Sequence, residues 1–529
     1  MRVWHALLLC WVWPDAPVSR ALGIAIIQAP PAPASGEFLE VTYSPAMQPL
    51  VNVSVGGQML KLVFDASSGD TAVLVKEMGA CMPQDLVPCY SWQLAQSRGK
   101  FHICKNPAEC IKGQRTKYQC SAYVDSLENA TSHTERLLID GLNYELKCVE
   151  GKDDVQLVLS NPDGSVTTWP PRPINSPIRL VEKNITAPSR EVRSPSLFQG
   201  TNGILGASGP SLSCRNETLW HLLLEALQVT SFALDFQPPP QAVIPGLESA
   251  KSRIVLNSIE RPLLWSQPKQ TGDIFSDGMH EFLIYHPQVC GVDLLYNISS
   301  NWLVVIDTSG PCLTLPSFLF DRVVTHIPVT CPFHIGENSL GRLCTPRRDS
   351  GANVSLPSLL FQLEDDQEPG PPRLHLPLER LVFRSGEEEL LCLSRSDDDS
   401  LAGLADMTSS HISLGSMAVS AFYMAVSLAN HSVGLAPRGQ AGEASSAYCA
   451  APVTCPSPMQ TPYPPLNICE DPECSEYLFT TLDEVTKMCV WNSAVPISFG
   501  LLLAALAALD LISHRLYKQA IERASESCQ

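Results

Sequence analysis

Asp65 ends the apolar run Leu60-Lys-Leu-Val-Phe-Asp65 and is followed by Ala66, Ser67 and Ser68, whereas Asp307 ends Trp302-Leu-Val-Val-Ile-Asp307 and is followed by Thr308, Ser309 and Gly310. Each segment is an apolar strand that closes on a carboxylate and then turns through small or hydroxyl-bearing residues. Taken singly, either is a strand running into a turn, where Asp, Ser and Gly are ordinary residues. Taken together they are an internal repeat that sets one carboxylate at the same point of each half. Two carboxylates held close cannot both ionise, so one keeps a proton to give while the other is free to take one from a bound water.

Residues for other chemistries are missing. The chain has no Gly-x-Ser-x-Gly nucleophile turn, no His-Glu-x-x-His, no Gly-x-x-x-x-Gly-Lys phosphate loop and no basic–aromatic interleaving for single strands. Gly203, Gly206 and Gly209 have the wrong spacing for a dinucleotide loop. The acidic runs 387–389 and 397–399 are solvated loops by composition. Cys469 and Cys474 are too loosely spaced, with no nearby His pair, to favour zinc over a disulfide. No metal and no cofactor is expected.

The chain that must position the two aspartates has 529 residues, 45% of them hydrophobic and 17% charged, which supports large packed cores in about two domain-sized units. Its formal net charge of −18 argues against nucleic acid as a partner, because phosphate binding needs clustered Lys and Arg. Strand-like alternation begins at Leu50-Val-Asn-Val-Ser-Val and continues through Phe64, and the body is β-rich with many short strands. Helical patterning is confined to 219–227, 317–325 and 416–424. The stretch 81–148 holds six cysteines and 163–188 is rich in Pro, Ser and Asn, so both are expected to be loop elaborations.

The two ends define a topology. Met1, Arg2 and His5 precede an apolar run at 6–13 and small residues near 19–21, the pattern of a secretory signal peptide over 1–21, with an uncleaved anchor as the other reading. Residues 494–512 carry a single charge, Asp510, and are followed by His514, Arg515 and Lys518, which predicts one membrane span and a short cytosolic tail at 513–529. Seven glycosylation sequons, at Asn52, Asn129, Asn184, Asn216, Asn297, Asn353 and Asn430, all precede the span. Setting aside Cys10 and Cys528 from the 19 cysteines leaves an odd number before the span, so one thiol is free, metal-bound or available for a disulfide-linked dimer.

Several segments in order resemble the pepsin-like aspartic proteases. Asn202-Gly-Ile-Leu-Gly206 is similar to that family's Asp-Gly-Ile-Leu-Gly, and Ser231-Phe-Ala-Leu-Asp-Phe236 to the strand closing its first lobe. Asp307 through Leu313-Thr-Leu-Pro316 resembles the second catalytic turn, and Leu356-Pro-Ser-Leu-Leu-Phe361 the family's Leu-Pro-x-Ile-x-Phe strand. Leu414-Gly-Ser416, Phe422-Tyr423, Ala429-Asn430 and Val433-Gly-Leu-Ala436 are similar to its closing strand pair. The resemblance spans about residues 48–438, and with the C-terminal anchor the layout is closest to the beta-secretase type.

What the resemblance implies is an all-β, bilobal fold with a C-terminal transmembrane helix. Its expected parts are an irregular lead-in at 22–48, an N-terminal lobe at 49–236, a linker at 237–260, a C-terminal lobe at 261–438 and a cysteine-containing stalk at 439–493. Asp65 and Asp307 become the catalytic pair, Ser68 and Thr308 their support, and Tyr123 the flap residue over an extended peptide in the cleft. The chain departs from the family where Ala66 and Ser67 replace Thr and Gly, and where Ser309 replaces the second Gly. Those serines are placed to displace the attacking water, and Ala66 leaves only Thr308 to bond across beneath the aspartates. The 43 residues between position 22 and Asp65 leave little room for an inhibitory prosegment. Two functions stay open: a membrane-tethered aspartic endopeptidase, and a pseudoprotease whose cleft binds or scaffolds a partner.

Overall fold

The computed structural model describes residues 38–77, 89–97, 102–103, 132–139, 142–161, 163–185, 200–210, 218–244, 250–268, 280–296, 298–331, 343–347, 356–365, 372–396, 411–438, 449, 455–463, 468–474, 480–491 and 494–526. Of these, 46% are strand and 19% helix, so the fold is mainly β, with one long apolar helix at its C-terminal end. The signal peptide expected at 1–21 and Tyr123 lie outside the described residues, as does most of the cysteine-rich stretch 81–148.

Two large sheets carry the chain. The larger has 14 strands, and the two aspartate-bearing segments are built into the two sheets in the same way. In the larger sheet the strand Gln58–Asp65 runs parallel to Gly203–Gly206, with Val63 opposite Ile204 and Asp65 opposite Gly206, and Ala72–Leu74 returns antiparallel to that same strand. In the eight-stranded sheet Asn301–Ile306 runs parallel to Ile412–Leu414, with Ile306 opposite Leu414, and Leu313–Leu315 returns antiparallel to it. The strand that ends in Asp is therefore central in each sheet. Such a strand is buried on both faces, which explains why Val63, Phe64 and Asp65, like Val304, Val305 and Ile306, form unbroken buried runs and not an alternation.

Close backbone approach fixes both turns. A Cβ on Gly206 would strike the backbone of Asp70, and one on Gly415 would strike the backbone of Cys312. Both glycines sit one strand across from the aspartate turn, so each lets the chain after the aspartate fold back against its partner strand. Behind Asp65, Phe64 packs edge-on against Trp220 and Phe232, with ring centroids 5.3 and 6.5 Å away. Trp220 is presented by the helix Leu219–Ala226, which starts where the Thr218 hydroxyl accepts a hydrogen bond from the His221 N–H.

Several expectations are corrected. The segments expected as loops are strand over much of their described length: Val166–Ile185 and Ser132–Ile139 are each paired antiparallel with Leu142–Ser160. Three prolines of Val166–Ile185 are tolerated because the register shifts between Val155 and Leu157, so that Pro170, Pro171 and Pro173 fall in a bulge between Trp169 and Ile174, where no ladder hydrogen bond is required of them, while Pro177 stays in register opposite Lys152. The lead-in at 22–48 contains the strand Phe38–Tyr43, and the linker at 237–260 contains Ser252–Leu256, which pair with each other. The helix expected over 416–424 stops at Ser420, and Phe422–Ser427 is a strand because its side chains are buried on both faces. That strand and Ser432–Pro437 form a hairpin that joins the larger sheet through Ser231–Asp235, so the end of the β-rich body is hydrogen-bonded to the middle of the chain.

Five disulfides lie among the described residues: Cys290–Cys449, Cys312–Cys392, Cys331–Cys344, Cys455–Cys469 and Cys474–Cys489. Cys469 and Cys474 are each bonded, to different partners in two successive hairpins. Beyond these, the helix Ala494–Glu526 runs unbroken through the expected span and into the tail. Its stretch Ile497–Ala524 is long and apolar enough to cross a membrane, and none of it is buried against the rest of the protein. Its leucines are exposed along this stretch, as on a helix that suits an apolar surrounding.

Candidate active site

Asp65 and Asp307 come together at the junction of the two sheets, 2% and 7% exposed. Their meeting point is one oxygen. Ser67 Oγ lies 2.7 Å from Asp65 Oδ1 and 3.1 Å from Asp307 Oδ1. A hydroxyl has a single proton, so both contacts are satisfied when Ser67 donates to Asp65 and a protonated Asp307 donates to Ser67.

The electrostatics assign the proton to the same place. Burial, and then the nearby negative charge of Asp65, push the Asp307 carboxyl up to about 7, against the opposing pull of hydrogen bonds donated chiefly by Ser309. Asp307 thus keeps its proton to higher pH than an ordinary carboxyl.

The two serines are equivalent in the repeat and different in space. Each gives its backbone N–H to its own aspartate, Ser67 to Asp65 Oδ1 at 2.8 Å and Ser309 to Asp307 Oδ1 at 3.3 Å. Neither has the positive φ that would demand glycine, so the turns keep their backbone hydrogen bonds with a side chain present. The Ser309 hydroxyl is fully buried and donates to Asp307 Oδ1 at 2.6 Å. Ser67 is half-buried and is the one of the two that reaches both carboxylates.

Beneath the aspartates the fastening is one-sided. Thr308 Oγ1 donates to the Phe64 carbonyl and accepts from the Ala66 N–H at 3.0 Å. Ala66 has no hydroxyl to return the contact. Ser68, expected to face a carboxylate, instead has a buried hydroxyl with no hydrogen-bond partner among the described residues, while its carbonyl accepts from the Ser208 N–H. Ser416 N–H makes the matching bond to the Gly310 carbonyl.

Some contacts that hold the site gave no signal in the sequence. Gln48 Nε2 donates to the Ser309 carbonyl at 2.8 Å, and the Ser416 hydroxyl donates to the Met47 carbonyl at 2.7 Å. Asn202 receives the Lys61 N–H on its side-chain oxygen and returns its own N–H to the Lys61 carbonyl, locking Gly203–Gly206 against the Asp65 strand. His280 Nε2 lies 2.8 Å from the Ala207 carbonyl and its ring meets Phe232 edge-on, a second tie between the halves behind the pair.

Among known proteins, no family model matches this chain, and no curated protein matches it.

Proposed function

We propose that this chain is a membrane-anchored, pepsin-like aspartic endopeptidase of the secretory pathway or cell surface, bilobal in fold, that cuts extended peptide segments held between its halves. One observation carries the proposal: two copies of the same strand, turn and returning strand deliver two buried carboxylates to a single oxygen atom. In that geometry Asp307 supplies the proton to a peptide carbonyl and Asp65 removes one from the attacking water. The helix Ala494–Glu526 serves as the span, with the sequon-bearing body lumenal and Arg515 and Lys518 cytosolic.

The position of Ser67 Oγ between the carboxylates, where such a pair holds its water, favours a second function: a pseudoprotease whose ectodomain binds or scaffolds a partner. Cleavage of a peptide library by the full chain in detergent, from about pH 3 to 7, separates the two. Acid-favoured cleavage lost in both Asp65→Asn and Asp307→Asn supports the endopeptidase. A silent wild type that gains cleavage on Ser67→Gly supports the pseudoprotease.

A further inference from the structure

A different use of Ser67 follows from its position, and it rests on the hydrolytic role proposed for the two aspartates. We propose that the Ser67 hydroxyl is itself the nucleophile of this site, taking the place of water and passing through an acyl-ester on Ser67.

Three features of the site support this. Ser67 Oγ holds both hydrogen bonds that an attacking water needs, one to the base and one from the acid, and a hydroxyl so placed keeps a lone pair for a carbonyl carbon. It is half-buried, more accessible than the almost wholly enclosed carboxylates it bridges. Its own N–H is tied to Asp65 Oδ1, which fixes the turn and holds the side chain in register with its base. Ser309, its counterpart, is enclosed behind Asp307 and meets none of these conditions.

The chemistry balances without any added reagent. Ser67 Oγ bonds to the carbonyl carbon of the peptide as its proton passes to Asp65, while Asp307 gives its proton to the carbonyl oxygen. On collapse the carbon–nitrogen bond breaks. The proton on Asp65 leaves with the amine, and Asp307 regains its own from the re-forming carbonyl. A water entering the space left by the amine then gives its proton to Asp65 and attacks the ester carbon, and Ser67 departs with that proton. Asp65 acts as base twice and Asp307 as acid twice, so neither carboxylate changes its net state over a cycle.

The test uses the full chain in detergent with N-acetyl-leucine p-nitrophenyl ester at about pH 5, quenched in acid and mapped by mass spectrometry beside peptide cleavage. The expected result is a burst of p-nitrophenol and one acyl group on the peptide containing Ser67, both absent from Ser67→Ala and Asp65→Asn proteins whose melting matches wild type. No acyl group on Ser67, with wild-type peptide cleavage that persists in Ser67→Gly, overturns the nucleophile and leaves the endopeptidase standing with water as the attacker. No acyl group, with cleavage appearing only in Ser67→Gly, overturns the nucleophile in favour of a blocked site. Silence of all proteins towards ester and peptide overturns the nucleophile and the endopeptidase together.

Discussion

Replacing Thr308 by Val tests how the aspartate turns are fastened. Valine has the shape of threonine but neither donor nor acceptor, so the change leaves the Phe64 carbonyl and the Ala66 N–H without Oγ1 in a region where Thr308 is fully buried. An orphaned buried polar group costs about 1–3 kcal/mol, and two are orphaned, which gives a loss of about 3 kcal/mol. No second hydroxyl shares the task, because residue 66 is alanine. Urea denaturation of the ectodomain, followed by tryptophan fluorescence, measures the difference, with Thr308→Ser as the control that keeps the hydroxyl and loses less than about 1 kcal/mol. A Thr308→Val protein within about 0.5 kcal/mol of wild type would refute the claim that this hydroxyl joins the two halves.

The remaining expectations concern charge, backbone and topology. The Asp307 carboxyl is raised from 3.8 to about 7 by folding, so the folded state binds a proton that the unfolded chain has released. Its contribution is fully present below about pH 4 and is lost as pH rises through about 7, by at most about 4 kcal/mol, and Asp307→Asn should flatten that slope in denaturation series across this range. Ala at Gly206 or Gly415 meets backbone inside contact distance and should cost about 3 kcal/mol, with cleavage falling about 100-fold if the turn moves by 1 Å; melting curves and kcat/KM check the two effects. In sealed vesicles, an epitope after Glu526 should be digested from the cytosolic side without detergent, and protection of that epitope would reverse the orientation assigned to the helix.

Much of the site was legible because it is built from a repeat. Asp65 and Asp307 end matching apolar strands, and Thr308, with Ala66 opposite, already pointed to a one-sided fastening. What the repeat could not reveal is the difference between Ser67 and Ser309, since they occupy the same place in it. That difference arises from which hydroxyl turns towards the gap between the sheets, a property of packing and not of local sequence. The contacts of Gln48 and Ser416 are equally hidden, because their partners lie 261 and 369 positions away. Proline-rich composition misrepresents Val166–Ile185, where a bulge absorbs three of the four prolines and leaves the rest of a long strand paired. Ser252–Leu256 is not legible within the expected linker at 237–260 because five residues are too few for alternation to outweigh their surroundings.

The central claim, that Asp65 and Asp307 share a proton across the Ser67 hydroxyl, is tested most directly by a crystal structure of the ectodomain near pH 5 at a resolution better than about 1.2 Å, where carboxyl protonation can be read from bond lengths. The account predicts Ser67 Oγ within about 3 Å of both carboxylates, with unequal carbon–oxygen bonds in Asp307. A water between the aspartates with the Ser67 hydroxyl turned away, or carboxyls too far apart to meet on one oxygen, would contradict it.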